Sequence, residues 1–162
     1  MKTVLDLGAY NGRASEEFVE EGDRWILVDN EQHLEYDGWA KPAPPLGAEY
    51  IVMDIMDYTE PADVVVCSNV LYHVLDPHAL LRHLKELTLK TLVLKTYFDP
   101  PGEKDWNYYG EKKQAHPHLP TANTIFYRPT LDGLTNELKS LGFKNLEIKF
   151  KEMFLVTITC EV

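Results

Sequence analysis

The sequence predicts an α/β fold built on a doubly wound, mainly parallel sheet of seven strands. Short runs rich in Val, Ile and Leu alternate with helical segments along the N-terminal two thirds of the chain. This alternation is typical of βαβ units in a parallel sheet that is covered on both faces. The last two apolar runs lie too close together for a helix between them, so we expect them to pair antiparallel and to end the sheet in a hairpin.

Seven segments carry the strand pattern, each bounded by turn residues or by a helical segment. They are residues 3–9, 24–30, 50–55, 62–70, 90–98, 145–151 and 153–162. The connections after the second and third strands are residues 31–47, which hold three prolines, and residues 57–61, which are barely a turn. We expect the helices of these two crossings to be short or missing.

Caps and leucine spacing predict three helices. The first covers residues 12–21 and ends at Gly22. The second begins at Asp76-Pro77, an N-cap followed by proline at the first helical position. The third follows Pro129-Thr130 and ends at Gly142-Phe143. Leucines recur at helical spacing in the last two helices, at Leu80, Leu84 and Leu87 and at Leu131, Leu134, Leu138 and Leu141.

Composition is that of one soluble globular domain over residues 1–162. The chain has 44% hydrophobic and 26% charged residues, and no run approaches the ~18 apolar residues of a membrane span. No secretory signal precedes the first strand, so we expect a cytoplasmic protein. Cys67 and Cys160 lie inside apolar runs without metal-ligand spacing, which predicts two core thiols and no disulfide.

The net charge of -10 disfavours unaided binding to long nucleic acid, because such binding rests on Lys and Arg that neutralise phosphates. Residues 1–37 hold ten acids against three bases, which accounts for -7 of the total. Charge alone does not exclude nucleic acid, since four cations cluster in a later segment. They are Lys104, Lys112, Lys113 and Arg128.

The first two strands end in residues suited to hold a nucleotide-like ligand, at the sheet edge where doubly wound proteins bind ligands. In VLDLGAYNG, Gly8 permits a tight turn, and Gly12 lets the following segment begin close to a ligand. Asp6 can accept hydrogen bonds from the loop or from an amine. Asp29 follows Gly8 by 21 residues, about the spacing at which an acid binds the two hydroxyls of an adenosine ribose.

The next two strand ends extend this pattern. Asp54 can accept a hydrogen bond from an adenine amino group, with Ile55 against the ring, and the alternative, in which Asp54 only caps the next turn, is less favoured. The fourth strand ends in Ser68-Asn69 and is followed by Tyr72-His73. These four strand ends together predict a ligand cleft along one edge of the sheet.

As a set, the strand ends resemble the class I S-adenosylmethionine-dependent methyltransferases over essentially the whole chain. The resemblance implies a Rossmann-like seven-stranded sheet with a C-terminal antiparallel hairpin and S-adenosyl-L-methionine as cofactor. Tyr10 stands where such families often have a middle glycine, and the loop lacks the Gly-x-Gly-x-x-Gly spacing of a nicotinamide site, which disfavours a dehydrogenase. The implied cofactor-binding residues are Asp6, Gly8, Ala9, Tyr10, Gly12, Asp29, Asn30, Asp54, Ile55, Ser68 and Asn69.

Two longer strings are similar to the carboxymethyltransferase-like branch that includes the tRNA wobble-uridine enzyme. They are SNVLYHVLDPHALLRHLKEL and FYRPTLDGLTNELKSLGF, and similar strings occur in methyltransferases of sugar and secondary metabolism. The wobble-uridine enzyme carries a region ahead of its cofactor domain that contributes to its carboxylated-cofactor site. This sequence begins two residues before the first strand, so we expect plain S-adenosylmethionine.

Methyl transfer is an in-line displacement, to which positioning alone can contribute on the order of 7–11 kcal/mol. A base is needed only if the acceptor must lose a proton, and by location the candidates are His73 and Tyr72, each of which can instead be a packing residue. Residues 99–128 form a long aromatic segment, which predicts a lid that selects the substrate. Its candidate substrate residues are Trp106, Tyr108, Tyr109 and Arg128, and Arg128 is nearly as well explained by a surface salt bridge.

Several alternatives stay open. The acceptor can be a small molecule, a sugar, or a nucleotide or RNA base; methylation of a DNA exocyclic amine is disfavoured, because no Pro-Pro-Tyr/Trp motif follows the fourth strand. The cofactor can also serve carboxymethyl transfer, or the chain can be a catalytically silent subunit of a partner enzyme. An open cleft hints at a homodimer or a partner subunit. No metal is expected, because His116 and His118 lack a third ligand.

Overall fold

The computed structural model describes residues 1–30, 44–102, 104–112, 124–152 and 154–162. Within these ranges the chain forms two sheets, two α-helices and two 3₁₀ turns, Glu16–Phe18 and Leu71–His73. The helices are α1 (Pro77–Leu87) and α2 (Leu131–Ser140). The strands are β1 (Thr3–Leu7), β2 (Arg24–Asp29), β3 (Ala48–Val52), β4 (Ala62–Ser68), β5 (Thr88–Tyr97), β6 (Trp106–Lys112), β7 (Thr124–Pro129), β8 (Lys144–Glu152) and β9 (Leu155–Glu161).

The main sheet has the predicted doubly wound topology, with strand order β3-β2-β1-β4-β5-β9-β8. Strands β1 to β5 pair parallel, β9 pairs antiparallel with β5, and β8 pairs antiparallel with β9. The strand order reverses between β1 and β4, which is the switch point where such sheets bind ligands. The seven-stranded fold with a terminal hairpin is therefore confirmed.

The two faces of the sheet carry different cores. On one face, alternate residues of five strands pack with the leucines of α1 and α2 into a large buried cluster that includes Leu5, Val65 and Leu84. On the other face, Trp25 and its neighbours form a smaller cluster. Cys67 and Cys160 are buried free thiols, as predicted, and burial raises the pKa of Cys160 to about 12.

Both predicted caps hold in α1 and α2. The Asp76 side chain accepts a hydrogen bond from Ala79 N at 2.8 Å, with Pro77 at the first helical position. The Thr130 hydroxyl accepts one from Gly133 N at 3.1 Å. These contacts satisfy backbone donors that would otherwise lack partners at the helix start.

The predicted first helix over residues 12–21 is wrong. The segment is a succession of tight turns, in which Ser15 N and Phe18 N each donate to the carbonyl three residues earlier, and α-helical bonding is not formed. Four glutamates explain the failure, because Glu16 and Glu17 would each face another glutamate, four residues on, in an α-helix. The third crossing, residues 53–61, holds only turns, as predicted, whereas the second lies largely outside the described residues.

The segment 99–128 contains regular structure that the sequence analysis did not predict. Strands β6 and β7 pair antiparallel in a separate two-stranded sheet, with Trp106 opposite Pro129 and Tyr108 opposite Tyr127. The start of this hairpin is joined to α2, since Thr130 N donates to the Asp105 carbonyl at 2.7 Å. The aromatic and β-branched residues of WNYYGEK and TIFYRP were the available strand signal.

We expect Gly133→Ala to destabilise the protein by about 1–3 kcal/mol, although alanine is favoured over glycine inside a helix by about 1 kcal/mol. A Cβ at Gly133 would lie 2.6 Å from the Asp105 carbonyl oxygen, so α2 and the hairpin would have to separate. Urea denaturation measures the change. The matched control is Asn136→Ala, at an exposed position of the same helix, which should be neutral or slightly stabilising. A more stable Gly133→Ala variant would contradict the packing argument.

Candidate functional site

A cavity of about 1160 Å³ lies at the carboxyl ends of the parallel strands. It is lined by residues from the loops after β1 to β4 and by side chains of β5, β8 and β9. Of the predicted cofactor and catalytic residues, the cavity brings together Gly8, Ala9, Tyr10, Asp29, Asn30, Asp54, Ile55, Ser68, Asn69, Tyr72 and His73. Asp6 and Gly12 lie outside its wall.

The β1 loop depends on Gly8. Its backbone has φ +75°, and a Cβ there would lie 2.2 Å from Val70 Cγ2, in the loop after β4. The amide of Gly8 donates to the Val28 carbonyl at 2.9 Å, which ties the loop to the end of β2. The loops of β1 and β4 therefore meet at the switch point only because this position has no side chain.

Tyr10 keeps the left-handed backbone that a glycine would adopt freely, with φ 48°. Such a conformation costs a non-glycine residue about 1–2 kcal/mol. The Asp29 carboxylate offsets this cost, because its Oδ2 accepts a hydrogen bond from Tyr10 N at 2.7 Å. Asp29 Oδ1 accepts a hydrogen bond from Asn30 N at 2.8 Å, and Asp29 is only 3% exposed. Asp29 thus fixes the β1 loop and still lines the cavity.

Asp6 supports the loop from below. It is fully buried, and its Oδ2 accepts a hydrogen bond from the Ser15 hydroxyl at 2.7 Å, while that hydroxyl accepts one from Trp25 Nε1 at 2.9 Å. Burial raises the pKa of Asp6 to about 7, helped by the charge of Asp29 and opposed by the Ser15 hydrogen bond. Asp6 is therefore a buried, half-ionised group near neutral pH, and its contacts are to the loop itself.

Asp54 and Ile55 follow β3 by two and three residues, because β3 ends at Val52, earlier than predicted. Asp54 Oδ1 accepts from Met56 N at 2.9 Å, so this acid caps a turn and also lines the cavity. The Ile55 carbonyl accepts a hydrogen bond from His83 Nε2 of α1 at 3.0 Å. No local sequence pattern marks His83 for this contact, which joins elements far apart in the chain.

The end of β4 supplies a buried polar group to the cavity wall. Asn69 has φ 61°, its amide donates to the Lys95 carbonyl at 2.8 Å, and its Oδ1 is buried with no hydrogen-bond partner among the described residues. The following 3₁₀ turn presents Tyr72 and His73, whose rings lie 4.1 Å apart. Burial, and to a smaller extent the nearby Tyr97, raises the pKa of Tyr72 to about 12, so this phenol stays protonated at neutral pH.

Three predicted substrate residues of segment 99–128, Trp106, Tyr108 and Arg128, are not among the described residues of the cavity wall. Trp106 packs against His78 at the start of α1, with ring centroids 4.7 Å apart, and Tyr108 is 59% exposed. Arg128 lies 3.9 Å from Asp99 and over the Tyr97 ring at 5.5 Å. The side chain of Tyr109 and the residues Lys113, His116 and His118 lie outside the described residues.

The cavity also includes residues that the sequence analysis missed. Lys95, Thr157 and Lys149 line it from β5, β9 and β8. Lys95 interrupts the apolar run TLVLKTY, which was a usable signal of a special position. The threonines of VTITC alternate with buried residues, and this pattern alone is typical of any half-covered strand.

These features define a class, that of doubly wound α/β proteins with a ligand cavity at the switch point. The chain belongs to the methyltransferase domain family, since the family model described as Methyltransferase domain matches residues 1–148. The predicted class of enzyme, a methyltransferase, is thereby confirmed. Among curated protein sequences no match was found.

Solved structures with the same fold agree with this assignment. An S-adenosylmethionine dependent methyltransferase from Mesorhizobium loti has 19% identity and a TM-score of 0.68, with 99% of this chain and 91% of that chain covered. The N-terminal domain of EvdMO1, in the presence of SAH and D-fucose, has 17% identity and a TM-score of 0.69, covering 98% and 74%. A Burkholderia thailandensis 1,6-didemethyltoxoflavin-N1-methyltransferase has 15% identity and a TM-score of 0.64, covering 99% and 70%.

Among the described residues, no helix reaches the length and apolar character needed to cross a bilayer. In the same part of the chain, no group of three or more His, Cys, Asp or Glu side chains is placed to hold a metal ion.

We expect Gly8→Ala to lower the free energy of unfolding by about 1–3 kcal/mol more than Gly22→Ala does. Both glycines have a left-handed backbone, but a Cβ at Gly22 would meet nothing within 4 Å, whereas one at Gly8 would overlap Val70. Gly22→Ala therefore measures the backbone cost alone. Equal losses in urea denaturation of the two variants would show that the loop contact at Val70 is not tight.

Asp6 should make stability fall as pH rises from about 5 to 7. Its folded-state pKa of about 7 lies above the unfolded value of about 3.9, so in this window the folded chain binds more protons than the unfolded chain. The free energy of unfolding of the wild type minus that of Asp6→Asn should decrease by up to about 1.4 kcal/mol per pH unit and level off above pH about 8. A difference that is constant across this range would mean that Asp6 does not titrate there.

Proposed function

We propose that this chain transfers a methyl group from S-adenosyl-L-methionine to a small-molecule acceptor. The observation that carries the proposal is the order of polar groups along the cavity: Asp54, Asp29, the Gly8 loop and Asn69 follow one another across β3, β2, β1 and β4. The adenine, the ribose and the amino-acid moiety of S-adenosylmethionine follow one another in the same order. Structures of the same fold, among them EvdMO1 and DhpI, contain SAH.

The residues present suit this cofactor. Each oxygen of Asp29 accepts one backbone hydrogen bond, which leaves lone pairs to accept from the two ribose hydroxyls. Asp54 and Ile55 would hold the adenine ring. Asn69 Oδ1, buried without a partner among the described residues, would accept from the amino group of the methionine moiety, beside Ser68. The Gly8 loop lets the cofactor approach the backbone closely.

S-adenosylmethionine supplies an electrophilic methyl group on a sulfonium, which is an activated leaving group, so the protein mainly positions the acceptor. His73 is the candidate base, because it lines the cavity and is exposed to it. Tyr72, with its pKa near 12, would donate a hydrogen bond that orients the acceptor and would not remove a proton. The hairpin would then influence substrate specificity indirectly, through Trp106, Tyr108 and Arg128, which lie away from the cavity wall.

The neighbours of the fold support a small acceptor. Two of them were solved with D-fucose and with 1,6-didemethyltoxoflavin, both small molecules, which favours a small acceptor over an RNA base. The finer resemblance to the tRNA wobble-uridine branch gains no support from these comparisons. A silent subunit of a partner enzyme would bind the cofactor without turning it over.

Calorimetric titration with S-adenosylhomocysteine, with NAD as control ligand, tests the cofactor site. We expect the wild type to bind only the first, and Asp29→Ala to weaken that binding by at least about tenfold, because charge-assisted hydrogen bonds are worth roughly 1.5–3 kcal/mol each. The matched control is Asp57→Ala, an exposed acid outside the cavity wall, which should bind normally. Unchanged affinity of Asp29→Ala would remove the ribose assignment, and no binding by the wild type would remove the proposed function.

A further inference from the structure

The cavity extends beyond the four strand ends assigned to the cofactor. Register pairs Ser68 of β4 with Lys95 of β5, Lys95 with Thr157 of β9, and Thr157 with Lys149 of β8. All four line the cavity, and residues paired across strands present their side chains on the same face of a sheet. They form a polar row, Ser68-Lys95-Thr157-Lys149, across one half of the sheet.

The polar row lies on the acceptor side of the site. Neighbouring strands are about 4.8 Å apart, so Lys95 is about 5 Å and Thr157 about 10 Å from Ser68 across the sheet. The ribose and adenine acids, Asp29 and Asp54, lie on the opposite side of the switch point, at β2 and β3. If the methionine moiety lies at β1 and β4, as the proposed function requires, the space over β5 and β9 is left for the acceptor.

Lys95 is a cation that the described residues do not neutralise. It is half-buried, it lies beside the buried Val66 and Val93 of the cavity floor, and no described side chain forms a hydrogen bond or ion pair with its ammonium. An anion in the cavity could therefore pair with this ammonium. Lys149 differs, because its ammonium lies 3.2 Å from Glu147 in an exposed pair.

Thr157 supplies a second donor beside Lys95. Its Oγ1 is buried and has no hydrogen-bond partner among the described residues, although a buried hydroxyl without a partner costs about 1–3 kcal/mol. An ammonium and a hydroxyl on adjacent strands can both donate to the oxygens of one anion.

We infer that Lys95 and Thr157 bind an anionic group of the acceptor, a carboxylate or a phosphate. The inference rests on the proposed function for the identity of the neighbouring ligand. The acid-lined half of the cavity holds the cofactor, and the half floored by the polar row selects acceptors that carry a negative charge. Lys149, at the exposed edge of the row, adds attraction without a direct bond.

Binding of simple anions tests the inference without any acceptor. Succinate, inorganic phosphate and the neutral succinamide are titrated into the full chain, with and without S-adenosylhomocysteine, and backbone amide NMR signals of Ser68, Lys95 and Thr157 are followed. We expect saturable shifts with at least one anion and none with succinamide, and the stronger of the two anions distinguishes a carboxylate site from a phosphate site. Lys95→Gln and Thr157→Val should each weaken anion binding, Lys95→Gln by about tenfold or more.

The matched control is Lys144→Gln, which removes an exposed lysine at the start of β8, outside the cavity wall; it should bind anions like the wild type. Equal shifts with succinate and succinamide, no saturable shift with either anion, or unchanged binding by Lys95→Gln would overturn the inference. These results are independent of cofactor titration, so failure of S-adenosylhomocysteine to bind would refute the proposed function separately.

Turnover gives a second readout. In a screen of acceptors offered as acids and as the matching amides, methyl transfer should favour the acids. Lys95→Gln should lower kcat/KM for the acids by about tenfold or more and leave the KM for S-adenosylmethionine unchanged. Equal use of acids and amides would overturn the inference. So would a product that gains a carboxymethyl group, since the anion would then belong to the cofactor.

Discussion

The site depends on the contact between Gly8 and Val70 at the switch point of the sheet. In a doubly wound sheet the two halves diverge from the central strands, and the loops after β1 and β4 must share the space between them. With no side chain at Gly8, the first loop lies directly on the second. The left-handed backbones of Tyr10 and Asn69 follow on either side. Both halves of the cavity are therefore positioned from this one point.

Electrostatics then divides the cavity at the same point. Toward β2 and β3 it is acidic, with Asp29 and Asp54 in its wall, and the charge of Asp29 helps to keep the pKa of the buried Asp6 near 7. Toward β5 and β8 the wall carries Lys95 and Lys149, of which Lys149 pairs with Glu147. In a chain of net charge -10, Lys95 is a local exception, and under the proposed function it lies on the acceptor side of the cofactor.

The strand ends were predictable from the sequence because they are local features. The apolar runs, the glycines of VLDLGAYNG and the acids Asp29 and Asp54 are read directly, and parallel strands bring their carboxyl ends to one edge. The polar row was not predictable, since it exists only through the register of β4, β5, β9 and β8, strands distant in the chain. The first helix failed for a different reason: Gly22 marked a helix end, but repulsion among four glutamates and the hydrogen bond from the Ser15 hydroxyl to the buried Asp6 favoured tight turns.

The hairpin β6-β7 has a structural role that its sequence alone did not suggest. Asp99 accepts from Asn107 Nδ2 at 3.0 Å and lies 3.9 Å from Arg128, which holds the two strands together at their base. Arg128 lies over Tyr97, and the Tyr97 ring meets Tyr72 edge-on at 5.2 Å. Since Tyr72 lines the cavity, the hairpin supports the 3₁₀ turn from behind. Arg128 is therefore tied to the site by packing, so any specificity that it confers would be indirect, whereas under the inference drawn above Lys95 and Thr157 would meet the acceptor directly.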